Sequence, residues 1–320
     1  MAETILITGA AGFIGSHLAD ALLAEGRRVV GIDNFCDFYD AQIKHRNLES
    51  AQQNDNFTLV DTDIRDREAV FNTFAAYTPD AVVHLAAMAG VRPSIENPAY
   101  YTAVNLDGTV HLLDAAVAYN TERFVFASSS SVYGNNEKVP FAEDDRVDFP
   151  ISPYAATKKS GELLCHVYQH LHDIPIFCLR FFTVFGPRQR PDLAIGKFLR
   201  LVRDGETIPM FGTGDASRDY TYIDDIIAGV RAATDRCGVN HRYRIYNLGG
   251  NHPTSLRDMI GAIERVTGKT AKVEQQPTQA GDVERTWADL TRSRAELDYE
   301  PRTSLEEGIA RQWAWMQGQA

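Results

Sequence analysis

Tyr154-Ala155-Ala156-Thr157-Lys158 sets a phenol and an ammonium four residues apart, which on a helix puts both side chains on one face. One strand-helix step earlier runs Ser128-Ser129-Ser130-Ser131, and near the start of the chain stands Thr8-Gly9-Ala10-Ala11-Gly12-Phe13-Ile14-Gly15. A glycine-rich turn can cradle a dinucleotide, and a serine hydroxyl can hydrogen-bond a reacting oxygen. A phenol titrates near 10, so bringing it close to neutrality needs about 4 kcal/mol of preferential stabilisation of the phenolate. The Lys158 ammonium and the ring of an oxidised nicotinamide are two cations that supply it. The order of these motifs points to removal of a hydride from a carbinol carbon. The Tyr/Lys spacing alone is weak, because a packed tyrosine beside a solvated helix lysine reads the same.

The elements that must position these groups follow from the pattern around them. Short β-branched runs alternate with longer periodic segments through the first half of the chain, the form of repeated βαβ units about a parallel sheet. Strands are predicted at Thr4–Thr8, Arg28–Ile32, Phe57–Val60, Ala81–Leu85, Arg123–Ala127 and Ile174–Arg180. Helices are predicted at Phe13–Glu25, Pro98–Tyr119 and Pro153–Leu171, the last two with proline near the first turn, where a missing N–H is harmless. After Arg180 the chain turns to Gly/Pro/Asp-rich stretches. Helices are expected there at Ile195–Asp204, Ile223–Thr234, Leu256–Thr267 and Leu305–Gln317, with strands at Arg244–Leu248 and Lys272–Gln276. The fold expected is α/β: a Rossmann-type doubly wound parallel sheet in residues 1–180 and a smaller C-terminal α/β lobe in residues 181–320 that takes the substrate, with some segments crossing back.

Gly9, Gly12 and Gly15 lie between a predicted strand and a predicted helix, the context in which the pattern becomes informative. The glycines permit a tight turn and close approach of a pyrophosphate, while the helix opening at Phe13 and Ile14 points N–H groups at it. Asp33 ends the second strand, with Asn34 after it. A carboxylate there accepts both adenosine-ribose hydroxyls and repels a 2′-phosphate, so it selects NAD over NADP; a solvated loop acid is the alternative. Asp63-Ile64, after the third strand, either reaches the adenine or caps the next helix. Leu85-Ala86-Ala87 either leave room for the cofactor or simply pack, and Asn105 is either a polar brace for the active-site backbone or a surface helical residue.

Composition narrows the class further. A chain of 320 residues, 44% apolar and 23% charged, is ordinary for a folded protein with two lobes. Its net charge of -11, without a basic run, argues against nucleic acid as a partner. Cys36, Cys165, Cys178 and Cys237 are scattered, without metal-ligand or redox spacing, so no metal is expected and the thiols are read as reduced. No basic leader and no apolar run long enough to span a bilayer are present, so a cytoplasmic location is expected.

The succession Thr-Gly-x-x-Gly-x-x-Gly, Asp33, Ser-Ser-Ser and Tyr154-x-x-x-Lys158 resembles the extended short-chain dehydrogenase/reductase superfamily, in particular its nucleotide-sugar epimerases. Arg180-Phe181-Phe182-Thr183-Val184-Phe185-Gly186-Pro187, Ser217-Arg218-Asp219-Tyr220 and Ala280-Gly281-Asp282-Val283 resemble that group's nucleotide-sugar segments. The resemblance implies a UDP-hexose, oxidised at C4 by bound NAD and reduced again on its other face. It also implies Ser129 as the catalytic hydroxyl beside Tyr154 and Lys158, and Arg218 and Asp282 as ligands of the pyrophosphate and uridine ribose. Related 4,6-dehydratases carry an Asp-Glu pair where Ser130-Ser131 stand, and related UDP-glucuronate decarboxylases carry a glutamate at Ser131, so elimination and decarboxylation are disfavoured. The run from Phe182 to Asp192 is most similar to UDP-glucuronate 4-epimerases, in which Arg190 would offer a guanidinium fork to the C6 carboxylate. Ser130, Ser131 and Thr183 would complete a polar clamp. A salt bridge or a phosphate contact is the alternative for Arg190, and UDP-glucose or UDP-N-acetylglucosamine the alternative sugars; a non-catalytic NAD sensor is a further reading. Gln279 and Gln189 depart from residues common in the relatives. The resemblance implies a homodimer paired through the helices that start near Pro98 and Pro153.

Overall fold

The computed structural model describes residues 2–277 and 283–318. The first six strands are β1 (Thr4–Thr8), β2 (Arg28–Asp33), β3 (Phe57–Asp61), β4 (Ala81–His84), β5 (Arg123–Ser129) and β6 (Ile176–Phe181). The next six are β7 (Thr183–Phe185), β8 (Thr207–Phe211), β9 (Ser217–Tyr222), β10 (Tyr243–Leu248), β11 (Pro253–Ser255) and β12 (Lys272–Gln276). The chain divides into two compact units. Residues 1–134, 146–180 and 227–246 form the first, and residues 135–145, 181–226 and 247–320 form the second.

The first unit is built on a seven-stranded sheet in the order β10-β6-β5-β4-β1-β2-β3. The pairs β1–β2, β1–β4, β2–β3 and β4–β5 are parallel. The chain runs outward from β1 to β3, then returns to β4 on the other side of β1, the kind of reversal at which open α/β sheets bind ligands outside the carboxyl ends of their strands. The central runs Ile5-Leu6-Ile7, Ala81-Val82-Val83 and Phe124-Val125-Phe126 are at most 1% exposed, as expected of strands covered on both faces. Each such aliphatic side chain contributes about 1.5–3 kcal/mol by leaving water. Leu112, Leu113, Ala115 and Ala116 of one flanking helix and Cys165 of another close over one face of the sheet.

Two expectations change. Arg244–Leu248, expected in the smaller lobe, lies in β10, an edge strand of the large sheet beside β6. Ile176 N–H donates to the Arg242 carbonyl at 2.8 Å, which brings that edge in. Pro98–Tyr119 is not one uniform helix. It consists of Pro98–Thr102 and Gly108–Ala118 joined by a π-helical turn, Ala103–Asp107. Such turns insert one residue into the helical ladder and re-aim a side chain, here that of Asn105.

The second unit holds a three-stranded sheet, β11-β9-β7, with β9 antiparallel to β11 and parallel to β7. A separate parallel pair joins β12 to β8. Helices Ala194–Asp204, Leu256–Thr267 and Leu305–Gly318 pack on one another beside them. No helix among the described residues is long and apolar enough to cross a membrane.

Candidate active site

The glycine turn follows β1 directly. Gly9 has φ +71°, and a Cβ there would stand 2.8 Å from the Ala86 amide nitrogen; a Cβ on Gly15 would stand 2.1 Å from the Gly9 carbonyl oxygen. A side chain at Gly9 would therefore push the turn off the Leu85-Ala86 backbone that follows β4, and one at Gly15 would push the helix Phe13–Ala24 away from the turn. Gly12 caps that helix without a side-chain acceptor, which leaves its first N–H groups for an anion. Phe13 is buried, its ring edge-on to His17 at 5.9 Å, whereas Ile14 is half-buried.

Asp33 ends β2 with 8% exposure. Its Oδ2 accepts the Ala11 N–H at 3.0 Å and its Oδ1 the Phe35 N–H at 2.9 Å, so the carboxylate is locked to the glycine turn while each oxygen keeps a lone pair. Burial pushes its pKa up, opposed by the Lys44 ammonium and these two amides. The buried Lys44 lies 3.9 Å away. Turn, helix start and carboxylate together fit a dinucleotide with free ribose hydroxyls.

Asp63 does not cap the following helix, because Asp66 does that by accepting from Ala69 N–H. Instead Asp63 accepts from Asn34 Nδ2 at 2.8 Å and from Arg65, whose bonds hold it below the usual carboxylate range. Ile64 is 5% exposed and packs against Gly108, so its side chain belongs to the core. Leu85 and Ala87 are half-buried, and Ala86 is the close neighbour of Gly9. Asn105 is 3% exposed: Oδ1 accepts from Met88 N–H at 2.8 Å, while Nδ2 donates to Met88 O and Thr157 Oγ1, each at 3.0 Å. It is no surface residue.

Ser152 starts the helix Pro153–His172 by accepting from Ala155 N–H, with Pro153 in the first turn. Lys158, 4% exposed, donates to the Ala127 carbonyl at 2.6 Å and lies 6.0 Å from the centre of the Tyr154 ring. The Tyr154 ring also meets Tyr101 edge-on at 6.4 Å. Burial pushes Lys158 down to about 8, partly offset by Cys165. Tyr154 and Lys158 thus share the helix face turned to the end of β5. That strand delivers Ser129, whose Oγ accepts the Ser131 N–H at 3.2 Å. Ser130 is half-buried, and the Ser131 hydroxyl is buried without a partner among the described residues.

This arrangement can hold a phenol beside a fixed positive charge and a hydroxyl, which suits proton transfer at an alcohol oxygen. Because the ammonium ionises at about 8, turnover is expected to fall above that pH as the charge facing Tyr154 disappears. A pH–rate profile checks this: Lys158→Arg should move the alkaline limb upward, and an unmoved limb would place the titration elsewhere.

The second unit holds the other expected residues. Thr183 opens β7 opposite Tyr220. Arg190 forks onto Asp192, Nε to Oδ1 at 3.0 Å and Nη2 to Oδ2 at 2.7 Å. Arg218 on β9 donates to the Ser217 carbonyl at 2.9 Å. Asp282 and Gln279 lie outside the described residues. Gln189 is a pin and not a ligand candidate: it donates to Val184 O and accepts from Gly196 N–H and Gln312 Nε2.

Two buried groups escaped the sequence reading. Glu162 and Arg180, 0% and 1% exposed, form a two-point ion pair at 2.8 and 2.9 Å, with Ser128 donating to the same carboxylate at 2.7 Å. The signal was available, since Glu162 repeats the four-residue interval from Tyr154 to Lys158. Asp219, 0% exposed, accepts from Gly250, Asn251 and Ala288 N–H groups; burial outweighs these donors and raises it to about 6. It ties β9, next to Arg218, to two separate loops.

A family model described as GDP-mannose 4,6 dehydratase matches residues 6–312, and the chain belongs to that family. Within it, the chain is 43% identical over 311 residues to the UDP-glucuronate 4-epimerase of Thermodesulfobacterium geofontis, covering 97% of this chain and 95% of the relative. A probable UDP-glucuronate 4-epimerase of Rhizobium meliloti is 41% identical over 326 residues, covering 97% and 96%. Among solved structures, the UDP-glucuronic acid 4-epimerase of Bacillus cereus, in complex with UDP-glucuronic acid and NAD, matches with TM-score 0.93 at 37% identity over 99% of this chain and 100% of its own.

Proposed function

We propose that the protein is an NAD-dependent UDP-glucuronate 4-epimerase, interconverting UDP-glucuronate and UDP-galacturonate through a 4-keto sugar. The observation that carries this reading is the buried Lys158 ammonium 6.0 Å from the Tyr154 ring, in a chain similar over nearly its whole length to epimerases acting on that sugar. Bound NAD supplies the two-electron acceptor for C4 and is regenerated in each turnover.

The chain's own residues do the rest. The turn at Gly9, Gly12 and Gly15 takes the pyrophosphate of the cofactor, and Asp33 takes the adenosine ribose. Tyr154 removes the proton from O4 and returns it after the sugar has turned over. Lys158 holds the phenol near its ionised form, and Ser129 hydrogen-bonds the reacting oxygen. By the resemblance, Arg218 and Asp282 are assigned to the nucleotide, and Thr183, Arg190, Ser130 and Ser131 to the sugar. The unpartnered Ser131 hydroxyl supports a polar ligand there, since a buried hydroxyl without a partner costs about 1–3 kcal/mol.

Asp192 both orients Arg190 and competes for it. The test is to incubate the protein, without added NAD, with UDP-glucuronate and separately with UDP-glucose, and to resolve the epimers. Faster turnover of UDP-glucuronate is expected. Arg190→Ala should raise KM for that sugar about 10-fold or more, the scale of a lost charged hydrogen bond, and leave UDP-glucose unaffected. Preference for UDP-glucose would instead favour the related reading, consistent with the 30% identity to a Thermotoga maritima UDP-glucose 4-epimerase. Turnover of neither sugar by protein that retains NAD would favour the sensor.

We also infer a homodimer, working in the cytoplasm with its four cysteines unpaired. Leu163, Val167 and Leu171 form one stripe on the helix Pro153–His172, at 56%, 46% and 67% exposure, and a second copy would bury it. Sedimentation should give a dimer for the wild type and a monomer for Val167→Glu; a monomeric wild type would end the inference.

A further inference from the structure

A line of buried side chains leads from the glycine turn to the catalytic helix, and its protons can be assigned from geometry. Thr109 Oγ1 lies 2.6 Å from the Asn105 carbonyl oxygen. A carbonyl has no proton to give, so the Thr109 hydroxyl donates there and has only lone pairs left for its other neighbour, His84 Nε2, at 2.9 Å. Nε2 must therefore carry hydrogen. On the opposite side of the ring, Nδ1 is 2.7 Å from Thr8 Oγ1. That oxygen already accepts the Ala86 N–H at 3.1 Å, and its own proton satisfies Nδ1.

The donors thus all run in one direction, from Ala86 N–H to Thr8, to His84, to Thr109, to the Asn105 carbonyl. From Asn105 the line continues through Nδ2 to Thr157 Oγ1 at 3.0 Å, and from the Thr157 hydroxyl to the Tyr154 carbonyl at 2.8 Å. Thr8 precedes Gly9, and Tyr154 is the proposed base. His84, 2% exposed, is the only ring in the series. Burial, helped by the nearby Lys158 charge, pushes it down to about 3, so the imidazole is neutral at physiological pH. The π turn Ala103–Asp107 places the Asn105 side chain and carbonyl to serve two partners at once.

We propose that His84, as the neutral Nε2–H tautomer, is a positioning residue that sets the separation of the dinucleotide turn from the Tyr154 helix through Thr8, Thr109, Asn105 and Thr157. It touches neither cofactor nor sugar. The inference rests on the assignment of Tyr154 as base and of the glycine turn as cofactor cradle. A rigid spacer matters because a misplacement of about 1 Å between reacting groups lowers rate about 100-fold.

The tautomer is read by nitrogen-15 NMR of histidine-labelled holoprotein, with His84→Gln used to assign the signal. A proton on Nε2 alone is expected; a proton on Nδ1, or on both nitrogens, overturns the proposal whatever the protein catalyses. For function, His84→Gln keeps an acceptor for Thr8 and a donor for Thr109, and should retain turnover of UDP-glucuronate within about threefold. His84→Leu removes both and should lower kcat about 10- to 100-fold, with KM changed less than about twofold. Thr109→Val cuts the same line with almost no change of shape, and stands in if the leucine variant fails to fold. Equal loss in the glutamine and leucine variants, or full kcat when the line is cut, overturns the proposal. A wild type that turns over no UDP-sugar would instead sink the functional assignment and leave the NMR result to judge His84 alone.

Discussion

Tyr154→Phe is expected to slow epimerisation of UDP-glucuronate about 10²- to 10⁴-fold, the range by which a positioned acid–base group accelerates proton transfer. The substitution deletes one oxygen and leaves a ring that can still meet Tyr101 edge-on at 6.4 Å, so folding and nucleotide binding should survive. Titration calorimetry should give an affinity for UDP-glucuronate within about threefold of the wild type, which places the loss in kcat. The expected size reflects how much the site does for this phenol. Lys158 is fixed by its bond to the Ala127 carbonyl, so its charge meets the developing phenolate without a search through rotamers, at a depth where water screens little. Unchanged turnover would remove Tyr154 from the chemistry and the proposed mechanism with it.

Much of this arrangement is legible in the chain because local signals and tertiary demands agree. The runs that became β1 to β6 are short, β-branched and bounded by breakers, and the glycine spacing requires a strand before it and a helix after it. Tyr154 and Lys158 share a face because the helix Pro153–His172 has a serine cap and an early proline. The reading failed where the decisive partner is remote in sequence. β10 has the pattern of any half-buried strand, and only its pairing with β6 puts it at the edge of the large sheet. The π turn carries no composition of its own, and the partners that Asn105 meets from it, Met88 and Thr157, are remote in sequence. Gln189 departs from a residue common in the relatives, and the sequence does not show why; its amide is committed to Val184, Gly196 and Gln312. The same distinction bears on Arg190: a sequence shows that a guanidinium is present, and only coordinates show Asp192 holding it.

Arg180→Met should destabilise the protein by about 3–5 kcal/mol, the usual consequence of removing one partner of a buried ion pair. Both members are nearly inaccessible, so solvent screening does not soften the loss. Glu162 would keep the Ser128 hydroxyl at 2.7 Å and Lys159 at 3.3 Å, too little to offset a desolvated carboxylate. Replacing both members, with Glu162→Leu added to Arg180→Met, should recover most of the loss, because the cost lies in the unpaired charge. Urea denaturation of the two single variants and the double variant gives the coupling directly. The pH dependence has a definite sign. In the wild type, burial alone would raise the Glu162 pKa, but Arg180, Ser128 and Lys159 outweigh it and hold the group below its ordinary 4.5. The pair's contribution is therefore complete above that value and is lost as pH falls through the lowered folded-state pKa. Without Arg180 only Ser128 and Lys159 still oppose burial, so the folded-state pKa should move up, and the variant's deficit should shrink as acid neutralises the carboxylate. Because Ser128 precedes Ser129 and Glu162 lies one helical turn beyond Lys158, kcat should fall with stability in Arg180→Met. An Arg180→Met protein as stable as the wild type at neutral pH would mean that the carboxylate finds water or another cation, and that the ion pair does not hold the end of β5 against the catalytic helix.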